Sequence, residues 1–150
     1  TIIRIGTAGS MQEDIKLHDI VIATSACSES SINDNLFANI NFSPTPDFDL
    51  LLKAYNKSNE LSYATHCGQV HSSDQFYNKL PDGVFDNLRK YGVLCVEMET
   101  YGLYMTARKY GKKALGIFTI SDSLVEEVAD SAENREISYT NMMNLALEIA

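Results

Sequence analysis

No stretch of this chain approaches the roughly 20 consecutive apolar residues that a membrane-spanning helix needs. Positive charge is scarce as well: 12 Lys and Arg stand against 20 Asp and Glu, a net charge of -8 at pH 7. The longest basic runs are the pairs Arg89-Lys90 and Lys112-Lys113. That balance argues against nucleic acid or an anionic membrane as the main partner. Cysteine is sparse and odd in number. Cys27, Cys67 and Cys95 each fall in a strand-like run, which points to reduced, packed thiols in a cytosolic protein. No G-x-S-x-G elbow is present, which removes the serine hydrolases built on one. His66, Cys67 and His71 invite a metal, but in a strand His66 and Cys67 face opposite ways and no fourth ligand is suitably spaced, so none is expected. Internal repeats, low-complexity segments and a second domain are absent too. There is no initiator Met and no signal-peptide pattern; Thr1 to Gly6 already reads as a buried strand. The expectation is a sequence that starts inside a larger fold.

What is there suffices for one domain with a real core: 150 residues, 45% hydrophobic and 21% charged. Apolar, β-branched runs at Ile2–Ile5, Val21–Thr24, Ser62–His71, Val93–Met98 and Lys113–Ile120 predict strands. Gly6 to Ser10 reads as a small-residue turn, and Ser28 to Pro46 as a long surface excursion of the kind that serves a site or an interface. Asp47 is placed to cap a helix carrying Phe48, Leu51, Leu52 and Tyr55 at helical spacing. Further helices are predicted from Pro81 to Tyr91 and from Glu99 to Tyr110. A last one begins near Asp130 and Glu133, which have capping-box spacing, and buries Tyr139, Met142, Met143, Ala146, Ile149 and Ala150. Strands alternating with helices predict an α/β chain, a three-layer α/β/α sandwich with a mixed, largely parallel central sheet.

The chemistry-bearing residues cluster where strands end, the edge at which open α/β sheets bind ligands. Arg4 interrupts an apolar strand just before Gly6-Thr7-Ala8-Gly9. It, the Thr7 hydroxyl and backbone amides could cradle a phosphate, or Arg4 could pair with a core Glu. Phe76, at the mouth of a strand, could stack on a planar base, although position alone favours a core aromatic. Glu97 and Glu99 could accept from vicinal hydroxyls, or could sit in the first turn of a helix, where Glu99 fits better than Glu97. Asp122 could protonate a leaving group. An ordinary Asp has a pKa near 3.9, so keeping it protonated at pH 7 costs roughly 4 kcal/mol. Arg135 would oppose that if paired with Asp122 permanently, but would assist if it arrived during reaction.

Taken together, Ile2-Ile3-Arg4-Ile5-Gly6-Thr7-Ala8-Gly9, Ser73-Asp74-Gln75-Phe76-Tyr77, Val96-Glu97-Met98-Glu99, Ile120-Ser121-Asp122 and Glu133-Asn134-Arg135 resemble, in order and separation, the bacterial hexameric type of purine nucleoside phosphorylase. The resemblance covers the family's larger, C-terminal part and implies a phosphorylase/hydrolase-like fold whose N-terminal strands are missing. It implies phosphorolysis of purine (deoxy)nucleosides, with orthophosphate as co-substrate and no cofactor. Under it, Arg4, Gly6 and Thr7 bind phosphate. Phe76, Val96, Glu97, Met98, Glu99 and Ser121 bind the nucleoside, Asp122 is the general acid and Arg135 assists it. It further implies a cytoplasmic homohexamer, a trimer of dimers, in purine salvage. The absent N-terminal segment would complete the site, and without it the chain would be inactive. Two relatives share the scaffold: the methylthioadenosine/adenosylhomocysteine nucleosidases, which use water, and the uridine phosphorylases. Arg4 and Arg135 argue for phosphate over water, and no pyrimidine reader is found.

Overall fold

The computed structural model describes residues 1–34, 36–38, 40–77, 80–131 and 139–150. Six strands form one mixed sheet: β1 (Ile2–Ser10), β2 (Ile20–Cys27), β3 (Thr65–Ser72), β4 (Cys95–Glu97), β5 (Ala114–Ser123) and β6 (Val128–Ala129). The helices described are α1 (Phe48–Glu60), α2 (Val84–Lys90), α3 (Thr100–Lys109) and α4 (Thr140–Ile149). The long registers are parallel: β1 runs beside β5 from Ile2↔Ala114 to Ser10↔Ser123, and β2 beside β3 from Ile20↔Thr65 to Cys27↔His71. The antiparallel pairings, β1 with β4, β2 with β5 and β5 with β6, are short. In the order β1-β4-β3-β2-β5-β6, β1 also pairs with β5, so five of the strands close into a ring.

Period-two alternation along β2 and β5 divides the core into two layers. Val21, Ala23, Phe118 and Ile120 join Tyr104 and Ala107 of α3 on one side. Ile20, Ile22, Leu115 and Ile117 join Leu50 and Ala54 of α1 and Met142, Leu145 and Ile149 of α4 on the other. This is the predicted α/β/α arrangement. Buried Tyr104 ties α3 to both central strands: its hydroxyl donates to the Ala23 carbonyl (2.8 Å) and accepts from the Gly116 amide (2.9 Å). Burial and that amide contact oppose each other, burial being the larger, so the phenol is held well above its ordinary range and stays a donor.

Several local expectations change. The small residues Gly6 to Ser10 do not turn; they continue β1, because β5 supplies a partner for every residue through a register shift at Ala8/Gly9. The start of β1 is not buried either: Ile2 is 50% exposed, and β4 meets β1 only at Gly9 and Ser10. Asp47 does cap α1, accepting from the Leu50 amide (3.0 Å), but the buried face is Leu50, Ala54 and Ser58, with Phe48, Leu52 and Tyr55 exposed. The buried stripe of α4 runs through Leu145, whereas Met143 and Ala150 are exposed. Glu133 lies outside the described residues, so the capping-box expectation does too. Packed thiols describe Cys95; Cys67 is exposed and Cys27 half-buried.

Candidate active site

The ring of strands brings β4, β1 and β5 side by side at their functional ends. Val96 faces Gly9 across one register and Gly9 faces Asp122 across the next. Asp122 is the single residue of β5 that emerges from full burial. Its carboxylate lies against Gly9 so closely that a Cβ there would meet Oδ2 at 2.6 Å. The Ser121 hydroxyl donates to its other oxygen, Oδ1 (2.8 Å). Gly9, expected as part of a phosphate turn, is thus the space into which the candidate acid fits. The sequence signal was only a glycine in a strand, which often marks a close approach.

The second group is built around Arg4. Its guanidinium lies 5.4 Å from the centre of the Phe118 ring and passes over Gly6, where a Cβ would stand 3.0 Å from Nη1. Arg4 Nη2 pairs with the Glu99 carboxylate, and Nε stands 3.6 Å from Glu97 Oε2. Nε is buried and makes no hydrogen bond. Arg4 therefore stands against core Glu97, as one of its two readings expected, with its head partly exposed. Thr7 is exposed on the same strand, but its odd spacing from Arg4 sends the two side chains to opposite faces where the strand is regular.

Glu97 and Glu99 do not share a strand face, because β4 ends at Glu97. Their structural roles are the reverse of those the spacing suggested. The Glu97 side chain is fully buried and caps α3, accepting from the amides of Glu99 (2.9 Å) and Thr100 (3.0 Å) and from the Ser72 hydroxyl. Ser72 in turn accepts from the Tyr101 amide (2.9 Å). The Glu99 side chain makes no cap bond and is 59% exposed, reaching back to Arg4. Met98, between them, is 40% exposed and Val96 is half-buried.

Phe76 is not a core aromatic: it is 79% exposed, edge-on to the equally exposed Tyr77 with ring centres 5.0 Å apart. Its loop is anchored by Glu29, which sequence reasoning missed. Glu29 Oε1 accepts from the Ser73 hydroxyl (2.9 Å) and the Asp74 amide (3.0 Å). Burial pushes this carboxyl up, but backbone amides, Ser73 and His71 together hold it below the usual carboxylate range. The Ser73 amide donates to the Glu97 carbonyl (2.8 Å), joining the Phe76 loop to the Glu97 cap. Arg135 lies outside the described residues. Nearby, the Asp130 amide donates to the Ser121 carbonyl (2.8 Å), and His18 stands 3.1 Å from the Asp130 carboxylate.

A separate cleft of about 720 Å³ opens under the Ser28–Pro46 excursion, with Cys27, Glu29, Phe37, Phe42, Gln69 and Tyr101 in its walls. Among the residues lining it there is none of the predicted phosphate or nucleoside ligands. Elsewhere His66, considered as a ligand, stands 2.9 Å from Asp19.

Arg4, within β1, thus stands beside the carboxylates of Glu97 and Glu99, and Asp122, supported by Ser121, lies on the neighbouring strand β5 against Gly9. The family model of the phosphorylase superfamily matches residues 1–150. The chain belongs to the phosphorylase superfamily. It is 50% identical over 149 residues to a purine nucleoside phosphorylase DeoD-type of Thermoanaerobacter sp., with 99% of this chain and 64% of that protein covered. It is 49% identical to the protein of the same name from Caldanaerobacter subterraneus (99% and 64% covered) and 45% to that from Clostridium perfringens (99% and 63%). The resemblance read from the motifs is borne out at the level of this superfamily. The chain spans slightly under two thirds of the length of these relatives.

Proposed function

We propose that this chain carries the larger part of a purine nucleoside phosphorylase. The reaction is the reversible phosphorolysis of purine (deoxy)ribonucleosides to free base and (deoxy)ribose 1-phosphate. The observation that carries the reading is the pairing of Arg4 with Glu99, with the Gly9–Asp122 contact further along the same strand. A cation, an exposed carboxylate and an acid are carried along β1 and its two neighbours, in a chain whose relatives bear that name along 99% of its length.

In this mechanism orthophosphate takes the Arg4 guanidinium, with the Gly6 amide as a further donor, while Thr7, on the opposite face of β1, is left out of the cradle the motif suggested. Displaced from Arg4, the Glu99 carboxylate turns to the ribose hydroxyls, with the Met98 backbone alongside. Glu97 stays buried as the cap that fixes both neighbours. Phe76 and Val96 enclose the purine. Asp122, supported by Ser121, protonates N7 of the departing base, and Arg135 assists that transfer. Charge develops on an oxocarbenium-like sugar between an anion and a neutralised leaving group, which is where fixed electrostatics contribute most. No cofactor enters. We further infer a cytoplasmic homohexamer, a trimer of dimers, acting in purine salvage, with an N-terminal segment supplying the remaining phosphate donors. Free thiols at Cys27, Cys67 and Cys95 fit a reducing compartment.

The test is inosine turnover by the full-length protein with and without phosphate. Turnover that needs phosphate and yields ribose 1-phosphate is expected. Equal turnover in phosphate-free buffer, giving free ribose, would assign the nucleosidase reaction instead.

A further inference from the structure

Cys27, His71 and Glu29 take no part in the chemistry above, yet they stand in line. The registers pair Cys27 with His71 on adjacent parallel strands. Cys27 Sγ lies 3.8 Å from His71 Nδ1, and His71 Nε2 lies 3.2 Å from Glu29 Oε2. The ring is held from a third direction by the edge of Phe85, centres 6.4 Å apart. Cys27 and Glu29 both open onto the 720 Å³ cleft, while His71 is buried behind them, 3% exposed. A thiol, a base within reach of it and a carboxylate 3.2 Å from the far nitrogen of that base, close but not in hydrogen-bond geometry, bring together the groups of an assisted nucleophile.

We infer that Cys27 is a covalent modification site, a thiol activated by His71 and Glu29 toward small carbon electrophiles that carry a polar carbonyl or amide and enter this cleft. The cleft suits such a group: Ser28, Ser30, Asn33 and Asn41 line it with hydroxyls and amides. In the step, the Sγ lone pair forms an S–C bond at the electrophilic carbon. The bond from that carbon to its leaving group breaks, and the leaving group departs with that electron pair. The Sγ proton passes to His71 Nδ1, whose other nitrogen keeps its proton against the Glu29 carboxylate.

Burial raises the Cys27 thiol, and it raises Cys67 likewise, so neither is a standing thiolate and ionisation alone does not separate them. Burial also lowers His71, leaving a neutral base able to accept. Glu29, Glu97 and the Cys27 carbonyl favour the imidazolium once it forms. The difference between the two accessible cysteines is the base. Cys67 is the more exposed of the two, which makes the ranking a sharp one.

The experiment is limited labelling of the full-length protein with iodoacetamide, each cysteine followed separately by peptide mass spectrometry. Cys27 is expected to be carbamidomethylated at least tenfold faster than Cys67, with buried Cys95 unlabelled. His71→Phe should bring Cys27 to or below the Cys67 rate, and Glu29→Gln should slow it by a smaller factor, with Cys67 unchanged in both. If His71→Phe unfolds the chain, Cys95 will be labelled, and His71→Gln is read in its place. A Cys27 rate at or below that of Cys67 in the native protein, or one that survives both His71 substitutions, overturns the inference.

Discussion

Replacing Gly9 with Ala isolates the contact on which the candidate acid depends. The new methyl carbon would stand 2.6 Å from Asp122 Oδ2, about 0.8 Å inside the 3.4 Å at which ordinary contact begins. The backbone tolerates alanine, because Gly9 is not among the glycines with positive φ. Relief therefore comes from the carboxylate, which swings out of its seat and off the Ser121 hydroxyl. Overpacking costs about 1–3 kcal/mol, and the stiffer unfolded chain returns about 0.4–1 kcal/mol. Because the struck atom is the free end of a short side chain, the net loss should fall near 1 kcal/mol, or roughly 2–4 °C in Tm at this size. Catalysis should suffer more. A displacement approaching 1 Å of a proton donor costs on the order of 100-fold in rate, about 2.7 kcal/mol of barrier. The assay is phosphorolysis of inosine and adenosine by the full-length protein over a range of phosphate up to saturation, beside a thermal melt. A kcat near one hundredth of native is expected, with KM for phosphate within about twofold, since Gly9 touches Asp122 and not Arg4. An unchanged kcat in a folded variant would refute the reasoning.

Three further outcomes are expected. Asp122→Asn should nearly abolish turnover of 6-amino purines, because a neutral amide has no acidic proton to give; native adenosine turnover in that variant would remove Asp122 from its role. Glu97→Gln should destabilise the protein by about 2 kcal/mol, the scale for losing a charged partner from buried hydrogen bonds, because the carboxylate accepts from Glu99, Thr100 and Ser72 at once. A Tm within 1 °C of native, by an estimate of about 2–4 °C per kcal/mol, would show that the cap is dispensable. Acidification should expose His71: burial depresses its folded pKa below the unfolded value of 6.5. Its full stability is present above about pH 6.5 and is lost as pH falls from there toward the folded pKa. Native protein should therefore lose more Tm between pH 7.5 and 5 than His71→Phe, even with Glu29 and Glu97 facing the ring; equal losses would contradict that sign.

Much of this molecule was legible along the chain. Continuous apolar, β-branched runs located every long strand, since Val21–Thr24 and Lys113–Ile120 carry their burial in their own composition. Asp47 announced its cap, and the ordered motifs around Arg4, Phe76, Glu97, Glu99 and Asp122 pointed to one family. Faces were harder. On α1 the apolar residues Phe48, Leu52 and Tyr55 are exposed while Ala54 and Ser58 are buried, because the stripe Leu50–Ala54–Ser58, four residues apart, is the one that packs against α4 and the sheet.

The sequence alone determined which residue types were on offer and roughly where strands would carry them, because propensity and hydrophobic period are local. Only the tertiary structure decided what each one meets. Closing the sheet through β1 and β5 made Gly9 the seat of Asp122, and ending β4 at Glu97 turned that acid into a buried cap and left Glu99 to reach Arg4. The parallel register of β2 on β3 set Cys27 beside His71, and Glu29 at the foot of the Phe76 loop. Apart from the Glu97 cap, whose amides lie two and three residues on, each of these contacts joins residues far apart in the chain, so no local pattern could have specified it.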